Sequence, residues 1–132
     1  MGAFNFERYF AMIPFLAAAL DLNRLPLFPL GQVVATRGAL DLLKQTQTEP
    51  DKLLALHVTG DWGDCDPEDV QTNVEALKHG ARLMSVYRLP LGTGRRHDQP
   101  IRELADDLAD RTVWVITEAD RAVTTLLLPS EY

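Results

Sequence analysis

One cysteine, Cys65, stands alone among 132 residues, so no internal disulfide can form and a stapled secreted scaffold is excluded. A lone thiol fits a reducing cytoplasm. Basic charge is also scarce: thirteen Lys and Arg stand against nineteen Asp and Glu, leaving a net charge of −6 and a pI near 4.9. A broad phosphate-binding face needs Lys and Arg to neutralise the nucleic-acid backbone, so this balance argues against direct nucleic-acid binding. A transcriptional regulator would need a basic recognition helix, and the sequence supplies none. The acidic balance is compatible with docking on a basic groove of another protein, although ordinary acidic solubility explains it as well.

Long apolar runs are missing too. YFAMIPFLAAAL, residues 9–20, is twelve residues long, short of the roughly 20 that a membrane span requires. It makes a poor signal peptide, because Glu7 offsets Arg8 and Pro14 interrupts the run, although Ala17-Ala18-Ala19 fits a cleavage motif. The expectation is a buried or partner-facing helix and no membrane partner. Walker and dinucleotide fingerprints, EF-hand spacing and paired zinc ligands are all absent from the chain, and no cofactor is expected.

What is present suits one folded domain. Apolar residues make up 46% of the chain and charged residues 24%, the balance of a globular protein of ordinary size. Phe6, Phe10, Ile13 and Ala17 recur at helical spacing, which predicts a helix over 4–22 with a kink at Pro14. Prolines 26 and 29 then force extended chain into GQVVAT, predicting a strand near 30–36. Thr36 is the expected N-cap of a helix over 37–45 that turns Leu40, Leu43 and the stem of Lys44 inward. Pro50 opens a second helix to about 58, with Leu53, Leu54 and His57 on one side. Asp66, Pro67, Glu68 and Asp69 start a third helix, expected to run to His79 with Val70, Val74 and Leu77 buried and Gly80 as its stop. Strands follow at 82–89, 112–117 and 122–128, the last two joined by EADR as a hairpin. Ile101, Leu104, Ala105 and Leu108 mark an amphipathic helix between the first two of these strands.

Together these elements predict an α+β fold: a three- to four-stranded, mostly antiparallel sheet with helices packed on one face. The whole chain, 1–132, reads as a single domain, with 1–25 as an apolar helical extension and 91–111 as an inserted turn and helix.

The densest chemistry lies in HVTGDWGDCD, residues 57–66, where an imidazole, three carboxylates, a thiol and an indole share ten positions. Turn formation accounts for most of it. Gly60 and Gly63 supply left-handed conformations, Asp61 closes an Asx-turn, Asp66 caps the next helix and Trp62 anchors the bend to the core. The competing reading is a cation held by His57, Asp61 and Asp64 in a small metal-dependent hydrolase or nuclease. Cys65 at a helix start gains from the dipole, but the adjacent carboxylates oppose thiolate formation. GTGRR, residues 92–96, lacks a phosphate-loop pattern, yet Arg95 and Arg96 are the first candidates for contact with an anion. Glu118 and Asp120 at the hairpin tip either set the turn or form a recognition surface.

LGQVVATRGAL, HVTGDWGD, ALKHGARLMSVYRL and VWVITEADRAVTTLLLPSEY resemble, in this order, blocks of a family of small plasmid-related proteins of bacterial plasmids and integrative elements. The resemblance spans 30–90 and 112–132, and the chain departs from it in the N-terminal extension and in 91–111. The family brings no reaction. The resemblance implies a bacterial cytoplasm and a mobile element, where small proteins protect the element from host defence. The resulting expectation is a non-enzymatic protein-binding module that blocks a restriction or CRISPR effector, a host protein complex. Its interaction residues would be Phe6, Phe10, Ile13, Asp61, Trp62, Asp64, Arg95, Arg96, Glu118 and Asp120. The apolar stripe of Phe6, Phe10 and Ile13 would bury against that partner or against a second copy as a homodimer.

Overall fold

In a computed structural model of the chain, residues 11–12, 25–91 and 111–132 are described. Two strands, β1 (Ala11–Met12) and β2 (Gln32–Ala35), precede three helices: α1 (Arg37–Gln45), α2 (Pro50–Val58) and α3 (Pro67–His79). The strands β3 (Leu83–Arg88), β4 (Thr112–Thr117) and β5 (Val123–Leu127) follow, and a 3₁₀ turn covers Pro129–Glu131.

Local chemistry sets the helix ends. The Thr36 hydroxyl accepts from the Ala39 amide at 3.1 Å, and the Asp66 carboxylate accepts from the Asp69 amide at 3.0 Å. Pro50 and Pro67 occupy first-turn positions that need no amide proton. Gly80 ends α3 in the left-handed conformation, φ +69°, with its amide on the Ala76 carbonyl.

The strands form one mixed sheet in the order β1-β2-β5-β4-β3. β2 and β5 run parallel, from Gln32 opposite Val123 to Ala35 opposite Leu126, and the other pairings are antiparallel. The fold is thus α+β and mostly antiparallel. Four strands of four to six residues carry it, with the two-residue β1 added at one edge. Strand alternation sends Val33, Ala35, Leu83, Ser85, Tyr87, Val113, Val115, Thr117, Thr124 and Leu126 to a single face. There they meet Ala39, Leu42, Leu43, Leu53, Leu54, Val58 and Ala76 of the three helices in one core.

Several expectations need correction. Ala11–Met12 is a strand paired with Ala35 and Val34, so an unbroken helix over 4–22 does not form. A short apolar run satisfies either period, and the partner strand decides. The rest of that segment lies outside the described residues, including Phe6, Phe10, Ile13 and any homodimer contact they would make, as does the helix expected around 101–108. α1 buries Ala39, Leu42 and Leu43, with Leu40 half-buried against the core and Lys44 exposed. α3 packs Val70 and Leu77 against the core as expected, but its fully buried residues are Asn73 and Ala76, and Val74 is only half-buried. The reason is the bonding of Asn73 to the sheet edge described below. Among the described residues no helix is long and apolar enough to cross a membrane.

Candidate functional site

α2 drives His57 into the core, where the side chain has no exposed surface. Phe28 meets the imidazole edge-on with centroids 5.2 Å apart, and Trp62 does the same at 5.7 Å. Both ring nitrogens are engaged: Nδ1 lies 2.6 Å from the Ser85 hydroxyl and Nε2 lies 2.9 Å from that of Thr117. Thr117 in turn lies 2.7 Å from the Thr124 hydroxyl, which donates to the Leu30 carbonyl at 2.7 Å.

This chain fixes every proton. The Thr124 hydrogen is committed to Leu30, so Thr117 must donate to Thr124 and accept from His57 Nε2–H. Nδ1 is then the acceptor and Ser85 the donor. Burial, reinforced by the positive charge of Arg121, holds the His57 pKa down at about 3.

A hydroxyl donating to an imidazole is the local geometry of an activated nucleophile. Here, however, Ser85 and His57 are both wholly enclosed, and an imidazole of such low basicity is a poor proton acceptor near neutral pH. The pair satisfies core polar groups, since no face of it can meet a substrate. Ser85, Thr117 and Thr124 were not among the residues singled out from sequence. Their signal was a polar side chain at an inward strand position otherwise held by Leu, Val and Tyr.

The bend itself follows the turn reading. Asp61 Oδ1 accepts from the Gly63 amide at 3.1 Å, closing the Asx-turn, and the Asp61 carbonyl accepts from the Tyr87 hydroxyl. Trp62 is 7% exposed and stacks on Phe28 at 6.2 Å, so its indole belongs to the core. Gly63 pairs with Val86 of β3, and Asp64 Oδ2 accepts from the Arg88 amide at 2.9 Å. The Cys65 thiol donates to the Met84 carbonyl at 3.5 Å. Its pKa is pushed up to about 12, first by burial and then by the charges of Asp69, Asp66 and Asp64. Asp69 is raised as well, by desolvation and by Asp66 and Glu68.

His57, Asp61 and Asp64 therefore do not converge. The imidazole points into the core, and each of the two carboxylates holds a different backbone amide. Among the described residues no three His, Cys, Asp or Glu side chains are grouped as a metal ion would require. This arrangement removes the geometric basis for the metal-dependent hydrolase.

At the hairpin tip Asp120 Oδ1 accepts from the Ala122 amide at 3.0 Å, and Glu118 pairs with Arg82 at 3.3 Å. The more consequential neighbour is Arg121, at φ +60°. Its guanidinium donates to the carbonyls of Ala81 at 2.6 Å and Ala76 at 3.3 Å, and lies 5.7 Å over the Phe28 ring. It thus ties the end of α3 to the hairpin. The proposed anion contacts Arg95 and Arg96 lie outside the described residues. No model of a known protein family matches the chain, and neither a curated protein nor a solved structure does.

Proposed function

We propose that this chain is a non-enzymatic protein-binding module. The observation that carries the reading is the internal use of its most reactive stretch. His57 and Cys65 spend their polar atoms on hydroxyls or the backbone, and Asp61 and Asp64 each commit one carboxylate oxygen to a backbone amide. What this stretch and the first turn of α3 offer outward is negative charge: Asp61 and Glu68 are exposed, with Asp64, Asp66 and Asp69 half-exposed beside them. An acidic ridge on a chain of net charge −6 would steer encounter with a basic groove and resist wrong partners of like charge.

The resemblance of the GDWG and ITEADR blocks points to the class of partner, a nucleic-acid-handling host defence complex of restriction or CRISPR type in a bacterial cytoplasm. The test is co-expression with such complexes, followed by size-exclusion chromatography with mass measurement. A stoichiometric complex that weakens with added salt, and again with Asp61→Lys and Glu68→Lys, is the expected result. Recovery of the chain free of every candidate complex would count against the reading.

A further inference from the structure

β3 is the last strand of the sheet, and alternation points the backbone groups of Met84, Val86 and Arg88 away from β4. An outer edge of this kind ordinarily offers unpaired donors and acceptors to any passing strand. Here the amides of all three residues and the carbonyls of Met84 and Val86 are occupied. The Asn73 side chain accepts from the Met84 amide at 3.0 Å and donates to the Met84 carbonyl at 2.7 Å, mimicking a strand neighbour. The Val86 amide donates to the Trp62 carbonyl at 3.0 Å, and the Val86 carbonyl accepts from the Asp64 amide at 2.6 Å. Arg88 donates to the Asp64 carboxylate at 2.9 Å.

Two elements distant in sequence thus cap three successive outward positions of one strand. Gly63 makes the close approach possible, because a Cβ there would lie 2.1 Å from the Val86 carbonyl oxygen. We infer that the 61–65 bend and Asn73 form an edge guard, which prevents β3 from pairing antiparallel with β3 of a second copy of this chain. The inference does not rest on the proposed binding function, since it concerns the isolated chain. It gives a physical purpose to GDWGD that neither catalysis nor capping of α3 supplies: the residues bend so that backbone and carboxylate lie along the strand.

The test opens the edge. Gly63→Val combined with Asn73→Ala drives the bend from Val86 and frees Met84. The mass of this variant, measured by size-exclusion with light scattering across a wide concentration range, should double relative to its own dilute limit. Adding Val86→Pro, which removes the outward donor without touching a β3–β4 ladder amide, should return it to the single-chain mass. A folded open-edge variant, verified by circular dichroism, that keeps the single-chain mass at every concentration would overturn the inference. If that variant does not fold, hydrogen exchange on the unaltered protein decides. Met84, Val86 and Arg88 amides protected as well as those of Ser85 and Tyr87 sustain the guard, and rapid exchange at the three outer positions defeats it.

Discussion

The hydroxyl of Ser85 donates to Nδ1 of His57 across 2.6 Å, and neither side chain reaches solvent. The link ties β3 to α2 and begins a hydrogen-bond chain that crosses β4 and β5 before ending on the Leu30 carbonyl. Four elements and a loop are thereby joined through one imidazole. A buried network with all its members satisfied specifies one arrangement of a core, whereas a broken one is worse than an apolar core.

Ser85→Ala follows directly from this. It removes the donor and leaves Nδ1 buried beside Phe28 and Trp62 with nothing to accept from. An orphaned buried acceptor costs about 1–3 kcal/mol, and urea unfolding should show a loss of that size with an unchanged slope. A midpoint equal to that of the unaltered protein would mean that water or a shifted side chain replaces the hydroxyl.

The same imidazole makes stability depend on pH. Its folded pKa of about 3 lies below the ordinary 6.5, so between these values the unfolded chain binds a proton that the folded chain refuses. Stability contributed by neutral His57 is complete above pH 6.5 and falls as pH drops toward 3, by up to about 1.4 kcal/mol per pH unit. Carboxylates titrate over part of this window, so the test is a difference. The gap between the unaltered protein and His57→Gln in urea midpoint should narrow steadily on acidification, and a gap that stays constant from pH 7 to pH 4 would reject the assignment.

The elements governed by local rules were legible in the sequence. Thr36, Pro50, Asp66 with Pro67, and Gly80 each act within one helical turn, and the bounds of α1, α2 and α3 follow from them. Three kinds of information were not local. The pairing of Ala11–Met12 with β2 requires a strand more than twenty residues away, and the parallel match of β2 with β5 spans most of the chain. On the inward face of α3 Val70 and Leu77 were legible, but Asn73 was not, because it reads as a surface residue until the edge of β3 is known to need its amide. In the bend, the Asx-turn of Asp61 and the core anchor Trp62 were legible. The roles of Asp64 and His57 depend on Arg88, Ser85 and Thr117, whose positions only the folded sheet supplies.

Glycines 63 and 80 provide a paired comparison, since both sit at positive φ, +72° and +69°. A Cβ at Gly80 meets nothing within 4 Å, whereas one at Gly63 strikes the Val86 carbonyl oxygen at 2.1 Å. Gly80→Ala should therefore cost only the left-handed backbone penalty, about 1–2 kcal/mol. Gly63→Ala should exceed it by at least about 1 kcal/mol, because backbone must move as well. Thermal melts of the two variants settle the order, and equal losses would show that the bend yields freely.

Arg121 should be the most sensitive residue of the ITEADR turn, ahead of Glu118 and Asp120. Arg121→Ala deletes the guanidinium bonds to Ala81 and Ala76 and the stacking on Phe28, a loss of about 1–3 kcal/mol by the strength of charge-assisted bonds. Arg121→Gly loses the same contacts but relaxes the backbone at φ +60°, and should regain about 1 kcal/mol relative to alanine. Chemical denaturation of both variants tests this ordering. If alanine proves the more stable of the two, backbone strain at this position is negligible.

Cys65 provides a chemical reporter for the whole bend. With its pKa raised from 9.0 to about 12, the fraction of thiolate at pH 8 falls about a thousandfold, and thiolate is the reacting species. Modification by an aromatic disulfide reagent should be slower in the folded protein by about that factor than in urea, where Asp64, Asp66 and Asp69 no longer crowd the sulfur. Gly63→Val, by driving the bend from β3 and breaking the thiol's approach to Met84, should recover most of the lost rate without unfolding α3. Rapid labelling of the unaltered protein at pH 8 would mean that the 61–65 segment leaves the sheet edge readily, and the hydrogen bonds placed along β3 would then be transient.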